Sequence, residues 1–244
     1  MTDKKSQRKE VAYWAERPGL TQAFIKHTAK QTQRVTYDPD VQDADWIINH
    51  SGLGYLPLDI DIPLDIMRRE AQAAVAAMCE LEVSDPESSG WTSLGIFAED
   101  PHGQGDHGRD ELPPGDWVGM ACEIMPETVR FFQDSWPCER FWRMRLLGLM
   151  PQGVLGLHKD HSPRGLHNIN IALDHPPECQ FFLEGAGVIP FVDGRVFATD
   201  VSRNHAVINP STRLRLHIGM YQENDDRFRE LLVRSYHRYL SSLA

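Results

Sequence analysis

The stretch Phe141-Trp-Arg-Met-Arg-Leu-Leu-Gly-Leu-Met-Pro-Gln-Gly-Val-Leu-Gly-Leu-His158 holds two strand-length apolar runs separated by a Pro-Gln-Gly breaker. The pattern repeats down the chain. Strand-length segments cover Phe141–Leu149, Gly153–His158, His167–Leu173, Cys179–Leu183, Gly187–Phe191, Arg195–Ala198, His205–Ile208 and Arg213–Met220. Between them stand breakers such as Ser162-Pro-Arg-Gly, Asp174-His-Pro-Pro, Asp193-Gly and Asn209-Pro-Ser. Short strands joined by tight turns, with no strand–helix alternation, predict an antiparallel sandwich or barrel rather than a parallel sheet. A jelly roll is the closed solution, which makes the chain mainly β with flanking helices.

Upstream of this half the signals change. Leu64, Met67, Ala71, Ala74, Val75, Met78 and Leu81 recur at three- and four-residue steps and predict a supporting helix over Leu64–Leu81. Residues Val11 to Gln33 carry helix-like material interrupted by Arg17-Pro18-Gly19, Trp91–Ala98 reads as a short strand, and Pro126 opens a short helix. Glu99–Asp116, rich in Gly, Pro and acidic residues, is a long polar loop, either a substrate lid or a surface excursion. At the other end Phe228, Leu231, Leu232, Tyr236, Tyr239 and Leu240 predict a terminal helix that packs back on the sheet. The whole is read as one domain: 1–90 helical support, 91–222 jelly-roll core, 223–244 C-terminal helix.

The 244 residues carry a formal charge of −10 and no block of basic residues, which argues against a nucleic-acid partner. No stretch approaches the roughly 18 apolar residues of a membrane span, and none resembles a secretory leader. Four scattered cysteines read as free thiols, so a cytoplasmic location is expected. Nothing in the sequence fixes an oligomeric state.

The chemistry lies in the β-rich half. His158-Lys-Asp160 follows an apolar strand, where residues two apart project from one face. In Asn204-His205-Ala-Val-Ile-Asn209-Pro-Ser-Thr-Arg213-Leu-Arg215, a histidine opens a strand and a turn brings Arg215 back beside it. Two histidines and a carboxylate form the facial triad that holds non-haem Fe(II) and leaves positions open. A dicarboxylate cosubstrate needs a cation, and the planar guanidinium of Arg215 suits it. The same ligands would also serve a zinc hydrolase, and a non-catalytic jelly-roll binding protein with structural histidines is the other alternative.

At these residues the chain resembles the aspartyl/asparaginyl β-hydroxylase family of Fe(II)/2-oxoglutarate-dependent oxygenases, whose relatives include bacterial proline hydroxylases. The likeness runs from about Met125 to Tyr221 through Met125-Pro-Glu-Thr-Val-Arg-Phe-Phe, Leu149-Met-Pro-Gln-Gly-Val-Leu-Gly-Leu-His-Lys-Asp160 and His205-x3-Asn209-x5-Arg215. It implies a double-stranded β-helix of cupin-like form, with His158, Asp160 and His205 as iron ligands and Arg215 on the far carboxylate of 2-oxoglutarate. The implied reaction consumes O2 and hydroxylates a C–H bond, yielding succinate and CO2. Its substrate would be a small amino acid, or an amino-acid side chain in a peptide or protein. His167 stands where relatives carry a histidine near the cosubstrate's inner carboxylate, with strand packing as its other reading, and Arg164 is a candidate assistant. Of the neighbours, His161 is expected on the opposite strand face and Arg213 is expected to point away from Arg215 into solvent. Arg143 and Arg145 are read as surface residues, although one could face the interior. Trp91 and Trp117 line a substrate mouth or sit in the core. His27, His50, His102, His107, His175 and His237 are read as surface or capping residues.

Overall fold

The computed structural model describes residues 19–243 apart from 37, 81–86, 101–114 and 161. Helices α1 (Leu20–Thr28), α2 (Ala44–His50), α3 (Leu64–Ala74), α4 (Gly119–Ile124), α5 (Pro126–Asp134) and α6 (Asp226–Leu243) flank a curled antiparallel sheet. Its strands are β1 (Tyr55–Pro57), β2 (Cys79–Glu80), β3 (Ser89–Ala98), β4 (Asp116–Trp117), β5 (Phe141–His158) and β6 (Asn168–Asp174), followed by β7 (Gln180–Leu183), β8 (Gly187–Val188), β9 (Val196–Thr199), β10 (His205–Ile208) and β11 (Arg215–Gln222). The hydrogen-bonded order is β1-β9-β6-β11-β5-β10-β7-β8, with β3 also on β5 and with β2 and β4 on β3. This is the jelly-roll, double-stranded β-helix arrangement. No helix among the described residues is long and apolar enough to cross a membrane.

Side-chain alternation divides the molecule into two cores. Ile169, Ile171, Leu216, Ile218, Met144 and Leu146 face the helices and join Met67, Phe132 and Phe228 in the larger apolar cluster. Strand neighbours of opposite parity, among them Ala172, Leu149, Phe197 and Tyr221, face the barrel interior with Phe181 and Val207. The helix layer is tied together by polar contacts as well. Glu70 of α3 accepts from the Glu127 and Thr128 backbone N–H groups at 2.9 and 2.8 Å, placing a negative charge at the N-terminus of α5.

β5 departs from expectation, because the Pro151-Gln-Gly segment bends it without ending it. Its first half pairs with β11 and β3, and its second half with β10. Gln152 takes a left-handed φ of 61° there, and its side-chain amide donates to the carbonyls of Pro210 and Ser211 at 2.6 and 3.0 Å. On the other side Asn209, fully buried, donates to the carbonyls of Leu149, Met150 and Arg213 at 2.9, 3.1 and 2.8 Å. A breaker motif thus becomes a clasp between the β5 bend and the β10–β11 turn.

Two elements are shorter than expected. α3 ends at Ala74, tightens through a 3-10 turn at Val75–Ala77, and gives way to β2, because Cys79 and Glu80 pair with Ser93 and Thr92 of β3. The strand at the end of Glu184-Gly-Ala-Gly covers Gly187 and Val188, with one further backbone bond from Ile189 N–H to Phe181 O at 2.9 Å. Residues before Gly19, His161, and most of the Glu99–Asp116 loop with His102 and His107 lie outside the described residues. The loop's ends are fixed by the Ala98–Asp116 and Phe97–Trp117 pairs.

Asn209→Ala should destabilise the fold by about 2 kcal/mol or more, since three carbonyls lose a buried donor. Urea unfolding monitored by circular dichroism measures this; a loss below about 0.5 kcal/mol would show that water replaces the amide.

Candidate active site

His158 closes β5, His205 opens β10, and the two are register partners across the antiparallel pair. Their ring centroids lie 4.1 Å apart. Each ring is oriented by a carbonyl two residues upstream: His158 Nδ1 donates to Gly156 O at 2.7 Å, and His205 Nδ1 to Arg203 O at 2.9 Å. A carbonyl can only accept, so each neutral ring keeps its proton on Nδ1 and offers the Nε2 lone pair to a metal. Phe181 stacks on the His205 ring at 5.3 Å and 14°. Asp160 sits just beyond β5, its N–H donating to Val201 O at 2.9 Å. Oδ1 lies 3.6 Å from His158 Nε2, and Oδ2 accepts from the Tyr221 hydroxyl at 3.0 Å. One ligand atom from each of His158, Asp160 and His205 falls within 4.8 Å of the others. Two imidazole nitrogens and one carboxylate oxygen gathered this closely are a donor set that could hold Fe(II).

The electrostatics keep these groups ready to bind a cation. Burial, reinforced by the His158 ring, pushes His205 down to about 4, so its ring is neutral at pH 7. Burial works against ionisation of Asp160, but the two imidazoles, Arg143 and the Tyr221 hydroxyl outweigh it and hold the carboxyl below its usual range. Burial and the neighbouring Asp160 charge hold the Tyr221 phenol well above its ordinary range, so it remains a donor.

Arg215 opens β11 opposite Leu149 and is 1% exposed. Burial lowers it to about 10, which leaves it a cation at pH 7. Its NH2 group donates to His217 Nδ1 at 2.9 Å, while its buried Nε and NH1 have no hydrogen-bond partner among the described residues. A desolvated guanidinium with two idle donors is costly unless an anion meets it. The cosubstrate carboxylate fits this requirement by charge and by its planar, two-oxygen geometry.

The other sequence candidates fall in several places. Arg213 is exposed as expected and paired with Asp174. The cause differs from the expected one: residues two apart in a strand share a face, and Arg213 escapes because β11 begins only at Arg215. Arg164 is exposed and His167 half-buried just before β6; no hydrogen bond joins either to the triad or to Arg215. Burial lowers the His167 pKa. Asn170, not His167, reaches the Arg215 neighbourhood. The surface reading of Arg145 is corrected, since it is buried on the interior parity of β5, and Arg143 lies 5.0 Å over the Tyr221 ring. His175 is also corrected. The turn after β6 swings it inward to donate to Cys179 O at 3.0 Å instead of capping at the surface. Trp117 joins an aromatic cluster with Phe97 and Phe141, and Trp91 packs on the edge of the interior core. Sequence reasoning missed Tyr221 and His217, which counting by twos from Arg215 along β11 would have found.

These features define a double-stranded β-helix protein with a His-Asp-His cluster that could hold a metal ion. Residues 59–222 match the aspartyl/asparaginyl beta-hydroxylase family, and the chain belongs to it. It is therefore a 2-oxoglutarate-dependent dioxygenase using Fe(II). No curated protein matches it in sequence. The fold is similar to that of an oxidoreductase of the 2OG-Fe(II) oxygenase family from Burkholderia pseudomallei, with TM-score 0.51 and 15% identity over 84% of this chain and 100% of that one. A Pseudomonas putida prolyl-4-hydroxylase matches with TM-score 0.44 and 16% identity over 75% of this chain and 97% of that one.

Burial also pushes His175 down to about 4 and His217 well below its ordinary 6.5, in both cases reinforced by Arg215. The unfolded chain takes up these protons near pH 6.5, whereas the folded chain resists until the pH nears 4. Stability of the metal-free protein should therefore be held above pH 6.5 and fall as pH drops toward 4, where the unfolded chain binds protons that the buried rings resist. Urea midpoints across that window test it; an unchanged midpoint would mean that the rings protonate inside the fold.

Proposed function

We propose that the protein hydroxylates a C–H bond of an amino acid, or of an amino-acid side chain in a peptide or protein, with 2-oxoglutarate converted to succinate and CO2. In this reading His158, Asp160 and His205 hold Fe(II), and Arg215 takes the distal carboxylate of 2-oxoglutarate. The observation that carries it is the buried guanidinium of Arg215 with Nε and NH1 unpartnered, on the same barrel interior as a His-Asp-His cluster. A zinc hydrolase would give that cation no task. The family match supports an amino-acid substrate class.

Iron and 2-oxoglutarate supply the oxidising power from O2, and the chain supplies position and charge. The carbonyls of Gly156 and Arg203 set the imidazole tautomers, so both Nε2 atoms are available without a proton being removed first. Tyr221 occupies Asp160 Oδ2 and leaves Oδ1 to face His158, so that Oδ1 would be the carboxylate oxygen free to hold the metal. Phe181 and the apolar interior shield one side of His205 from water.

His158→Ala and His205→Ala should each abolish Fe(II)-dependent succinate formation in a folded protein, and Asp160→Ala should weaken iron retention by removing the site's one anionic ligand. Near-normal turnover in either histidine variant would refute the ligand assignment. Arg215→Met should raise the apparent 2-oxoglutarate constant by about one to three decades while anaerobic Fe(II) affinity stays nearly constant. Arg213→Met should do far less. The visible absorbance of the anaerobic Fe(II)–2-oxoglutarate chelate reads binding directly; its absence in the wild type would favour the hydrolase or binding-protein alternatives.

A further inference from the structure

Behind Arg215 runs a buried chain of hydrogen bonds that the hydroxylase reading leaves without a role. His217 Nδ1 lies 2.9 Å from Arg215 NH2, His217 Nε2 lies 2.9 Å from His175 Nδ1, and His175 Nε2 lies 3.0 Å from Cys179 O. The two ends of the chain leave no choice of direction. A guanidinium can only donate, so His217 Nδ1 is a lone pair, its proton sits on Nε2, and it donates to His175 Nδ1. Starting from the opposite end, the Cys179 carbonyl can only accept, so His175 is protonated at Nε2 and receives at Nδ1. Both ends assign the same tautomers. Asn170 Oδ1 stands 2.6 Å from His217 Nδ1; since Arg215 already requires a lone pair on that nitrogen, the two nearly isosteric ends of the Asn170 amide are assigned exchanged, with NH2 toward the ring.

The anchorage extends to the surface. The His175 backbone N–H donates to Asp193 Oδ1 at 2.6 Å, and the other Asp193 oxygen is paired with Arg68 of α3 at 2.7 Å. Aromatic packing fixes the rings, with Phe191 lying 5.7 Å from His175 and 4.9 Å from His217 between centroids. The result is a rigid acceptor that engages NH2 of the guanidinium and leaves Nε and NH1 without a partner among the described residues. We propose that His217, locked as an acceptor by His175 and the Cys179 carbonyl, is the positioning residue that presents the free donors of Arg215 to the distal carboxylate of 2-oxoglutarate. This rests on the cosubstrate role given to Arg215 above.

Without His175 the His217 ring can place its proton on Nδ1, where it opposes the guanidinium; without His217 the guanidinium loses the contact that sets its angle. Anaerobic binding of 2-oxoglutarate to the Fe(II)-loaded protein, followed by chelate absorbance, tests this. His217→Phe should weaken 2-oxoglutarate by about tenfold or more, the loss of a charge-assisted hydrogen bond. His217→Asn, which restores an acceptor near the Nδ1 position, should recover most of that loss, and His175→Phe should fall between. Affinity for Fe(II) alone should change by less than about twofold in all three. A second readout needs no variant to fold well. Long-range proton–nitrogen spectra of the histidine-labelled wild type should show His217 and His175 neutral and protonated at Nε2. A wild type that binds 2-oxoglutarate as tightly as His217→Phe does, or a His217 protonated at Nδ1, overturns the positioning role. A wild type that takes up no 2-oxoglutarate overturns the cosubstrate reading itself.

Discussion

Asn209 spends one amide group on three carbonyls: two at the bend of β5 and one past the β10–β11 turn. Gln152 returns the tie from the bend to the turn, and the backbone closes it as well: Gln152 N–H donates to Asn209 O at 2.8 Å and Asn209 N–H to Gly153 O at 2.9 Å. This clasp fixes where three functional side chains begin. On one side of the bend Arg215 stands opposite Leu149; on the other His205 stands opposite His158. A slip of one residue at the clasp would turn every β11 side chain to the other face, sending Arg215 among the helices and Leu216 into the site. The register of the active site is therefore set some distance from it, by uncharged amides in a turn.

From that register follows the contrast between the two cores. On β11 the apolar set Leu216, Ile218 and Met220 meets the helices, while Arg215, His217 and Tyr221 line the interior. β6 does the same with Ile169 and Ile171 outward and Asn170 inward. Polar interior residues weaken a core unless each finds a partner. Here Tyr221 finds Asp160, and His217 finds His175 and Arg215. Among the described residues the buried side-chain atoms left without a partner are Thr28 Oγ1, Gln222 Nε2, and Arg215 Nε and NH1. Of these only Arg215 carries a charge, and an anion that reached it would relieve the cost of that buried, partly unpaired cation.

Strand spacing and turn residues carry long-range information that is easy to read, so the antiparallel barrel, most strand positions, the terminal helix and the His-x-Asp…His…Arg set were legible in the chain. What failed was local reading at places decided by distant partners. Pro151-Gln-Gly looks like a turn, yet amides from the β10–β11 turn make it a bend within one strand. Asp174-His-Pro-Pro looks like solvent-facing loop, but His175 has an acceptor in Cys179 and a donor in His217, both invisible to any window of neighbouring residues. Arg145 looks solvated by its charge, and only the parity of β5 in the closed sheet carries it inside.

The three members of the His-Asp-His cluster are not held alike. Each imidazole is oriented by the carbonyl two residues before it, a restraint its own strand supplies wherever that strand is formed. Asp160 has no such local support. Its backbone is fixed by Val201 and its carboxylate by Tyr221, both from other parts of the chain. The imidazole pair is consequently set as soon as β5 and β10 join, whereas the position of the carboxylate depends on completion of β11. Structural perturbations at Tyr221 should then reach the site through Asp160 alone, because neither histidine relies on that ring for its orientation.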